Sequence, residues 1–416
     1  MNAKSPLSDL LTTLLARRPF TRKVEDSRSI ITLCEALLSE RTENSGLQQA
    51  AATLAHYQAL EPDEKLNFFK YLNEELDVDP IAISDAAKAY AEDRSVDNYR
   101  MLGRAAEARR QNLFRRLNQA PGATSELVQM RSDLLRCAKS DPELKRLDLD
   151  LSQLLKSWFN RGFLVLRQIT WDSPASILEK IIEYEAVHEI HNWDDLRRRL
   201  APEDRRCFAF FHPSMPDDPL IFVEVALTKG IPGSIQSVLS EERDELSEDE
   251  ADTAVFYSIS NCQTGLAGIS FGNSLIKQVV QDLSRDVPNL KTFVTLSPIP
   301  GLRKWAEAEG HALDTDDAET LTRHAATYLL DAKAPNGKPL DPVARFHLGN
   351  GAIVHKPHPN ADTSDNGAKQ SYGAMVNYLY DLGKIAQNSA TMEAGGAVPA
   401  TTAVRSLAKQ AKALTN

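Results

Sequence analysis

No apolar run in this 416-residue chain approaches the roughly 20 residues that cross a bilayer as a helix, so a span of that kind is excluded. Positive charge is in deficit, with 48 Lys and Arg against 58 Asp and Glu and a formal net charge of −10. Such a balance argues against nucleic acid or an anionic membrane surface as the main partner. Cysteine is scarce as well. Cys34, Cys137, Cys207 and Cys262 show neither metal-site spacing nor a dense disulfide framework, which points to reduced thiols in a cytosol. The start, Met1-Asn2-Ala3-Lys4-Ser5-Pro6, lacks an apolar signal core. Arg17, Arg18, Arg22 and Lys23 are charges of the kind an organellar transit segment carries, but the cytoplasm is the expected compartment. The first 160 or so residues show no repeat period.

What is present is ordinary globular material, 42% hydrophobic and 25% charged, long enough for two or three domains. Residues 1–160 read as a helical bundle. Apolar positions recur at three and four through Leu7, Leu10, Leu11, Leu14 and Leu15, then through Ile30, Ile31, Cys34, Leu37 and Leu38. Pro62-Asp63-Glu64 opens a helix whose buried face is predicted at Leu66, Phe69, Tyr71 and Leu72, and Pro80 breaks it. Ser95 is placed to cap a long helix through Leu113, and Pro121-Gly122 to end it. From Phe163 the texture changes to strands alternating with helical patterns. Leu220–Leu227 is apolar enough for a central strand buried on both faces, and residues 161–388 read as a mixed α/β domain. The acidic run from Glu241 to Asp252 reads as a solvated loop. Residues 389–416, small and polar, read as a mobile tail with one short helix.

The stretch Val255–Trp305 concentrates the chemistry. It reads as strand, glycine-rich turn, helix and strand. The turn, Gln263-Thr264-Gly265-Leu266-Ala267-Gly268, leads to Gly272 at a helix start. Free N–H groups at a helix N-terminus suit a phosphate. The second strand delivers Ser297, and Pro298 forces extended geometry on it. His347, in Ala344-Arg345-Phe346-His347-Leu348, alternates as a short strand would and is the side chain best suited to moving a proton near neutrality. Locally, Ser297 also fits a plain strand end and His347 a structural histidine. The pairs His188/His191 and His355/His358 lack a third ligand at fixed spacing, so no metal site is assigned.

Together these residues resemble the malonyl-CoA decarboxylase family over most of residues 160–385. The resemblance rests on Arg161-Gly162-Phe163-Leu164, Glu185-Ala186-Val187-His188, Phe256-Tyr257-Ser258-Ile259-Ser260, Ser297-Pro298-Ile299-Pro300-Gly301, Ala344-Arg345-Phe346-His347-Leu348 and Met375-Val376-Asn377-Tyr378. It implies a helical oligomerisation domain followed by a catalytic domain similar to the GNAT-type N-acetyltransferase fold. It implies Ser297 and His347 as the catalytic pair, with Tyr378 near them as a second catalytic donor. Two positions depart from pattern: the glycines after Gln263 are Gly265 and Gly268, and Ser270 stands where some members carry glutamate.

The implied reaction converts malonyl-CoA and a proton to acetyl-CoA and CO2. Electrons flow into the thioester carbonyl, so no redox or electron-sink cofactor is needed. Ser297 is expected to hold the departing carboxylate or the carbonyl, and His347 to orient Ser297 and protonate the α-carbon. Gln263, Gly265, Gly268 and Gly272 are expected to cradle the CoA, with Arg303 and Lys304 as phosphate partners. A homo-oligomer, dimer or tetramer, is expected through the helical domain. The alternatives are an acyl-CoA-dependent N-acetyltransferase and a non-catalytic acyl-CoA sensor.

Overall fold

The computed structural model describes residues 27–269, 272–311, 313 and 317–415. Contacts divide the chain into two units. One comprises Val165 and everything before it, together with His212–Pro216 and Gln263–Ser270. The other comprises Leu166–Phe211, Asp217–Cys262 and Phe271–Asn416. The glycine turn therefore groups with the helical unit.

The first unit is built from helices α1 (Ile30–Ser39), α2 (Glu43–Gln58), α3 (Pro62–Glu74), α4 (Pro80–Glu92), α5 (Val96–Ala105), α6 (Arg109–Leu117), α7 (Ala123–Cys137) and α8 (Lys145–Trp158). Their starts follow local chemistry. Ser29 accepts from the Thr32 N–H, Glu61 and Glu64 form a reciprocal box on either side of Pro62, and Asp79 caps the helix that Pro80 opens. Helix α3 buries Phe68, Phe69 and Leu72, while Tyr71 is half-buried and donates to Glu35 at 2.8 Å. The long helix expected from Ser95 through Leu113 is instead two, α5 and α6. The break lets Arg110 turn inward to pair with Asp77 at 2.8 Å and Asp150 at 2.6 Å. The leucines at 7–15 lie outside the described residues.

The second unit is organised on strands β1 (Val165–Ile169), β2 (Arg205–Phe211), β3 (Ile221–Thr228), β4 (Thr253–Asn261), β5 (Thr292–Thr295), β6 (Ser297–Pro298), β7 (Ile353–His358) and β8 (Met375–Leu379). They run in the order β1-β2-β3-β4-β5-β8-β6, with β7 also on β8. Strand β3 is buried from Ile221 to Leu227, as its near-continuous apolar run requires, and Glu224 within it pairs with Arg199 at 3.3 Å. The pair β4–β5 is parallel, while β2–β3, β3–β4 and the pairs made by β8 are antiparallel. The helices are α9 (Ala175–Tyr184), α10 (Trp193–Leu200), α11 (Ile235–Leu239), α12 (Gly272–Asp286), α13 (Leu302–Ala308), α14 (Ala318–Asp331), α15 (Pro342–Gly349), α16 (Asp365–Ser371), α17 (Ile385–Glu393) and α18 (Thr402–Thr415). Ile177, Leu178 and Ile181 of α9 and Leu196 of α10 bury against Cys207, Ala209 and Phe222 of the sheet.

Two expectations are corrected here. His347 lies on helix α15, not on a strand. Asp341 accepts from the Val343 and Ala344 N–H groups at 2.9 Å each, and Pro342 is pre-set for a first helical position. Four alternating residues were too few to separate a period of two from one of 3.6. The expected C-terminal tail is instead α17 and α18. Val404, Ala408 and Ala411 are buried at helical spacing, and α18 packs on α14 and β7. Small side chains there read as a mobile tail because alanine contributes little to an apolar stripe.

Candidate active site

Ser297 and His347, 50 residues apart in sequence, meet inside the second unit with Oγ 3.2 Å from Nε2. Two events deliver the serine. Strand β5 ends at Thr295, and the next paired residues, Ser297 and Pro298, join β8 rather than β4. The Leu296 N–H still bonds the Phe256 carbonyl at 3.0 Å, and beyond that point β4 and the β5–β6 segment part. Thr295 and Ser297, two apart on extended chain, share a face. The Ser297 hydroxyl donates to Thr295 Oγ1 at 2.8 Å.

The imidazole comes from the opposite direction. Helix α15 presents His347 six residues beyond the Asp341 cap, and Asp341 also accepts from the Gly301 N–H and the Tyr328 hydroxyl, both at 3.4 Å. Gly301 follows the Ser-Pro-Ile-Pro run, so one carboxylate ties the serine loop to the histidine helix. The ring stacks on Tyr378, with centroids 4.7 Å apart and planes 24° from parallel. His347 Nδ1 lies 2.8 Å from the Tyr380 hydroxyl. With Ser297 donating to Thr295, its oxygen is left to accept from Nε2–H. Nδ1 then accepts from the Tyr380 O–H. Burial alone lowers the His347 pKa to about 3, so the ring is neutral at pH 7. Burial likewise raises both tyrosines well above their ordinary range.

Tyr378 is in place, but its buried hydroxyl has no partner, and Tyr380 is the tyrosine that touches a ring nitrogen. Thr295, Asn377 and Tyr380 were not among the predicted residues. The signal for two of them was in the sequence: Thr295 precedes Ser297 by two, and Tyr380 follows Tyr378 by two, so each shares a face with a predicted residue. Asn377 donates to the Thr295 carbonyl at 2.8 Å. Glu185 ties the Glu-Ala-Val-His and Tyr-Ser-Ile-Ser blocks together. Its carboxylate accepts from Ser258 at 2.8 and 2.7 Å and from the Val187 and His188 N–H groups at 2.8 Å.

The predicted CoA residues are distributed differently. Gly265 is buried in the first unit, where an added Cβ would stand 1.9 Å from the Val128 carbonyl oxygen, and its own carbonyl accepts from Arg131 at 2.7 Å. Packing thus accounts for that glycine. Gly268 has φ +76° in open space, and Gln263 precedes the short turn of helix at Thr264–Leu266. In the second unit, Gly272 is the first residue of α12. Arg303 pairs with Glu307 at 3.0 Å, donates to the Ala368 carbonyl and lies over the Tyr372 ring. Lys304 is exposed. No group of three or more metal-ligating side chains occurs among the described residues.

A helical unit joined to a mixed-sheet unit that holds a buried alcohol–imidazole pair defines an α plus α/β protein with an enzyme's site. Models of the malonyl-CoA decarboxylase C-terminal domain match residues 162–321 and 311–416, and the N-terminal domain model matches residues 76–159. The malonyl-CoA decarboxylase, mitochondrial, of Anser anser anser is 39% identical over 329 residues, 67% of this chain and 65% of that protein, slightly under two thirds of its length. That of Rattus norvegicus is 37% identical over 355 residues, 73% of this chain and 71% of that protein. Among solved structures, malonyl-CoA decarboxylase from Rhodopseudomonas palustris is 50% identical with a TM-score of 0.85, covering 91% of this chain and 98% of that one. The Agrobacterium vitis structure is 48% identical with a TM-score of 0.86, covering 91% and 99%. The chain belongs to the malonyl-CoA decarboxylase family.

Proposed function

We propose that this protein is a carboxy-lyase that converts malonyl-CoA and one proton to acetyl-CoA and CO2. The observation that carries the reading is the buried imidazole of His347, held between the Tyr380 hydroxyl and the buried Ser297 hydroxyl. A carboxylate brought there loses its hydration, and leaving as CO2 removes its charge. The electrons of the broken C–C bond move into the thioester carbonyl and give an enolate. His347 Nε2–H, shared between Ser297 Oγ and the reacting oxygen, holds the reacting group, and Ser297 acts by orienting that proton. The α-carbon then takes the Nε2 proton as Nδ1 draws on the Tyr380 O–H, and when the products leave a proton from solvent returns to Nε2 while Nδ1 gives its proton back to Tyr380, which closes the cycle.

The pantetheine and pyrophosphate of the substrate are assigned to β4, α12 and α13. Beyond Phe256 the side of β4 that faced β5 has no strand partner, which suits the extended amides of a pantetheine arm. The N-terminus of α12 at Gly272 suits its pyrophosphate, with Lys304 and Arg303 as phosphate partners, the latter giving up Glu307. Gln263, Gly265 and Gly268 remain the proposed turn before that helix, Gly265 through its backbone only. A homo-oligomer is proposed through the helical unit. Helix α4 buries only Ala86 and α5 buries nothing, while Ile81, Val96, Tyr99 and Met101 are exposed. No described helix is long and apolar enough to cross a membrane, and the cytoplasm is the proposed compartment.

Incubation with malonyl-CoA alone is the test. Acetyl-CoA and CO2 formed without an acceptor support the reading. Product only after an amine is added would make the protein an acyltransferase, and binding with no turnover would make it a sensor.

A further inference from the structure

We infer that Thr295 is a positioning residue that sets the direction of the Ser297 hydroxyl and, through it, the tautomer of His347. Thr295 is wholly buried, and its Oγ1 is held from two sides. The Tyr378 N–H, which can only donate, reaches it at 3.1 Å, and the Ser297 O–H reaches it at 2.8 Å. A hydroxyl oxygen has two acceptor sites, and these donors fill both. The backbone carbonyl of the same residue is fixed by Asn377 Nδ2 at 2.8 Å, and Asn377 Oδ1 is in turn bonded to His358 Nε2. Thr295 is therefore anchored at main chain and side chain before Ser297 turns toward it.

The consequence is directional. With its proton committed to Thr295, Ser297 can only accept from His347, so the ring must carry its proton on Nε2. That is the reverse of a serine nucleophile, whose proton points at an imidazole acting as base. Thr295 thus selects an Nε2–H donor facing the substrate over a base-activated alcohol. Removing the acceptor frees the Ser297 rotor to donate to Nε2, and the ring proton then moves to Nδ1, facing the Tyr380 oxygen.

This inference rests on the decarboxylase reading for its kinetic arm but not for its spectroscopic one. In the wild-type protein, 15N chemical shifts of His347 are expected to report Nε2–H. In Thr295→Val they are expected to shift toward Nδ1–H, and in Thr295→Ser to return. Turnover of malonyl-CoA by T295V is expected to fall about ten- to hundred-fold in kcat with KM held within about two-fold, the scale of a misaligned catalytic group. T295S restores it, and the loss disappears on a Ser297→Ala background. Where T295V does not fold, T295C, whose sulfur is a weak acceptor, is read in the same way. An Nδ1–H wild-type ring overturns the inference, as does an equal loss with and without Ser297. An inert wild-type enzyme with an Nε2–H ring would instead count against the proposed reaction alone.

Discussion

Replacing Tyr380 by phenylalanine removes one oxygen and leaves the ring packing in place. In the folded protein His347 Nδ1 then has no partner, and the ring is only 3% exposed, so water does not take over. Leaving a buried polar group unsatisfied costs about 1–3 kcal/mol. At about 1.4 kcal/mol per factor of ten, the corresponding loss in kcat is about five- to hundred-fold. The hydroxyl touches the ring and not the thioester, so KM should stay within about two-fold. Stability should fall by a similar 1–3 kcal/mol, read by urea unfolding. Tyr378→Phe is the internal control. Its hydroxyl has no partner, so its removal should leave stability unchanged or slightly raised. Steady-state kinetics with malonyl-CoA and unfolding curves on both variants decide the matter. A Y380F enzyme with wild-type kcat and wild-type stability would refute the assignment of Tyr380 as the group that holds His347.

The depressed His347 pKa, about 3 against an ordinary 6.5, has a sign that can be checked. Below pH 6.5 the unfolded chain takes a proton that the folded ring refuses. Stability from the neutral ring is therefore complete above 6.5 and lost as pH falls toward 3. Unfolding at pH 7 and 4.5 should show wild type losing more stability than His347→Gln, and equal losses would contradict the burial argument. Gly301→Ala would put a Cβ 2.0 Å from the Tyr328 hydroxyl and disturb the Asp341 cap. Thermal denaturation should show a clear loss of Tm together with lost turnover; a wild-type Tm would count against the close approach. Gly265→Ala, 1.9 Å from the Val128 carbonyl, should destabilise more than Gly268→Ala, which meets only the cost of a left-handed residue, about 1–2 kcal/mol. The reverse order in Tm would show that Gly265 is not held by packing.

The elements that could be read from the sequence were those whose cause is local. Near-continuous apolar residues at Leu220–Leu227 became the buried β3, Pro62 and Ser95 became helix starts, and the helix from Pro62 ends before Pro80. Ser297 beside a proline at a strand end was legible for the same reason. What misled was either too short or cancelled by tertiary contact. Four alternating residues around His347 read as strand although Asp341-Pro342, a helix start, stood just before them. The helix predicted through Leu113 broke because Arg110 finds Asp77 and Asp150 only in the folded unit. Gly265 read as a phosphate glycine, and the structure adds a separate requirement for glycine there, the Val128 carbonyl more than a hundred residues upstream. No local pattern encodes such a neighbour.

The hydrogen bonds around His347 also explain why a site of this kind carries a histidine with so low a pKa. An imidazolium would bind the malonyl carboxylate tightly in the ground state and resist its departure, since that charge is lost as CO2 leaves. Interactions stronger in the ground state than in the transition state slow a reaction. A neutral Nε2–H donor makes the opposite distinction. It offers only a weak hold on the carboxylate, and its bond strengthens as charge collects on the enolate beside it. Keeping the ring neutral calls for burial without a carboxylate partner, and the groups that contact it satisfy that condition: Ser297, Tyr378, Tyr380 and Phe346 are all uncharged. Asp341, the acid on the same helix, is occupied with backbone N–H groups and Tyr328, so it caps α15 without charging the ring.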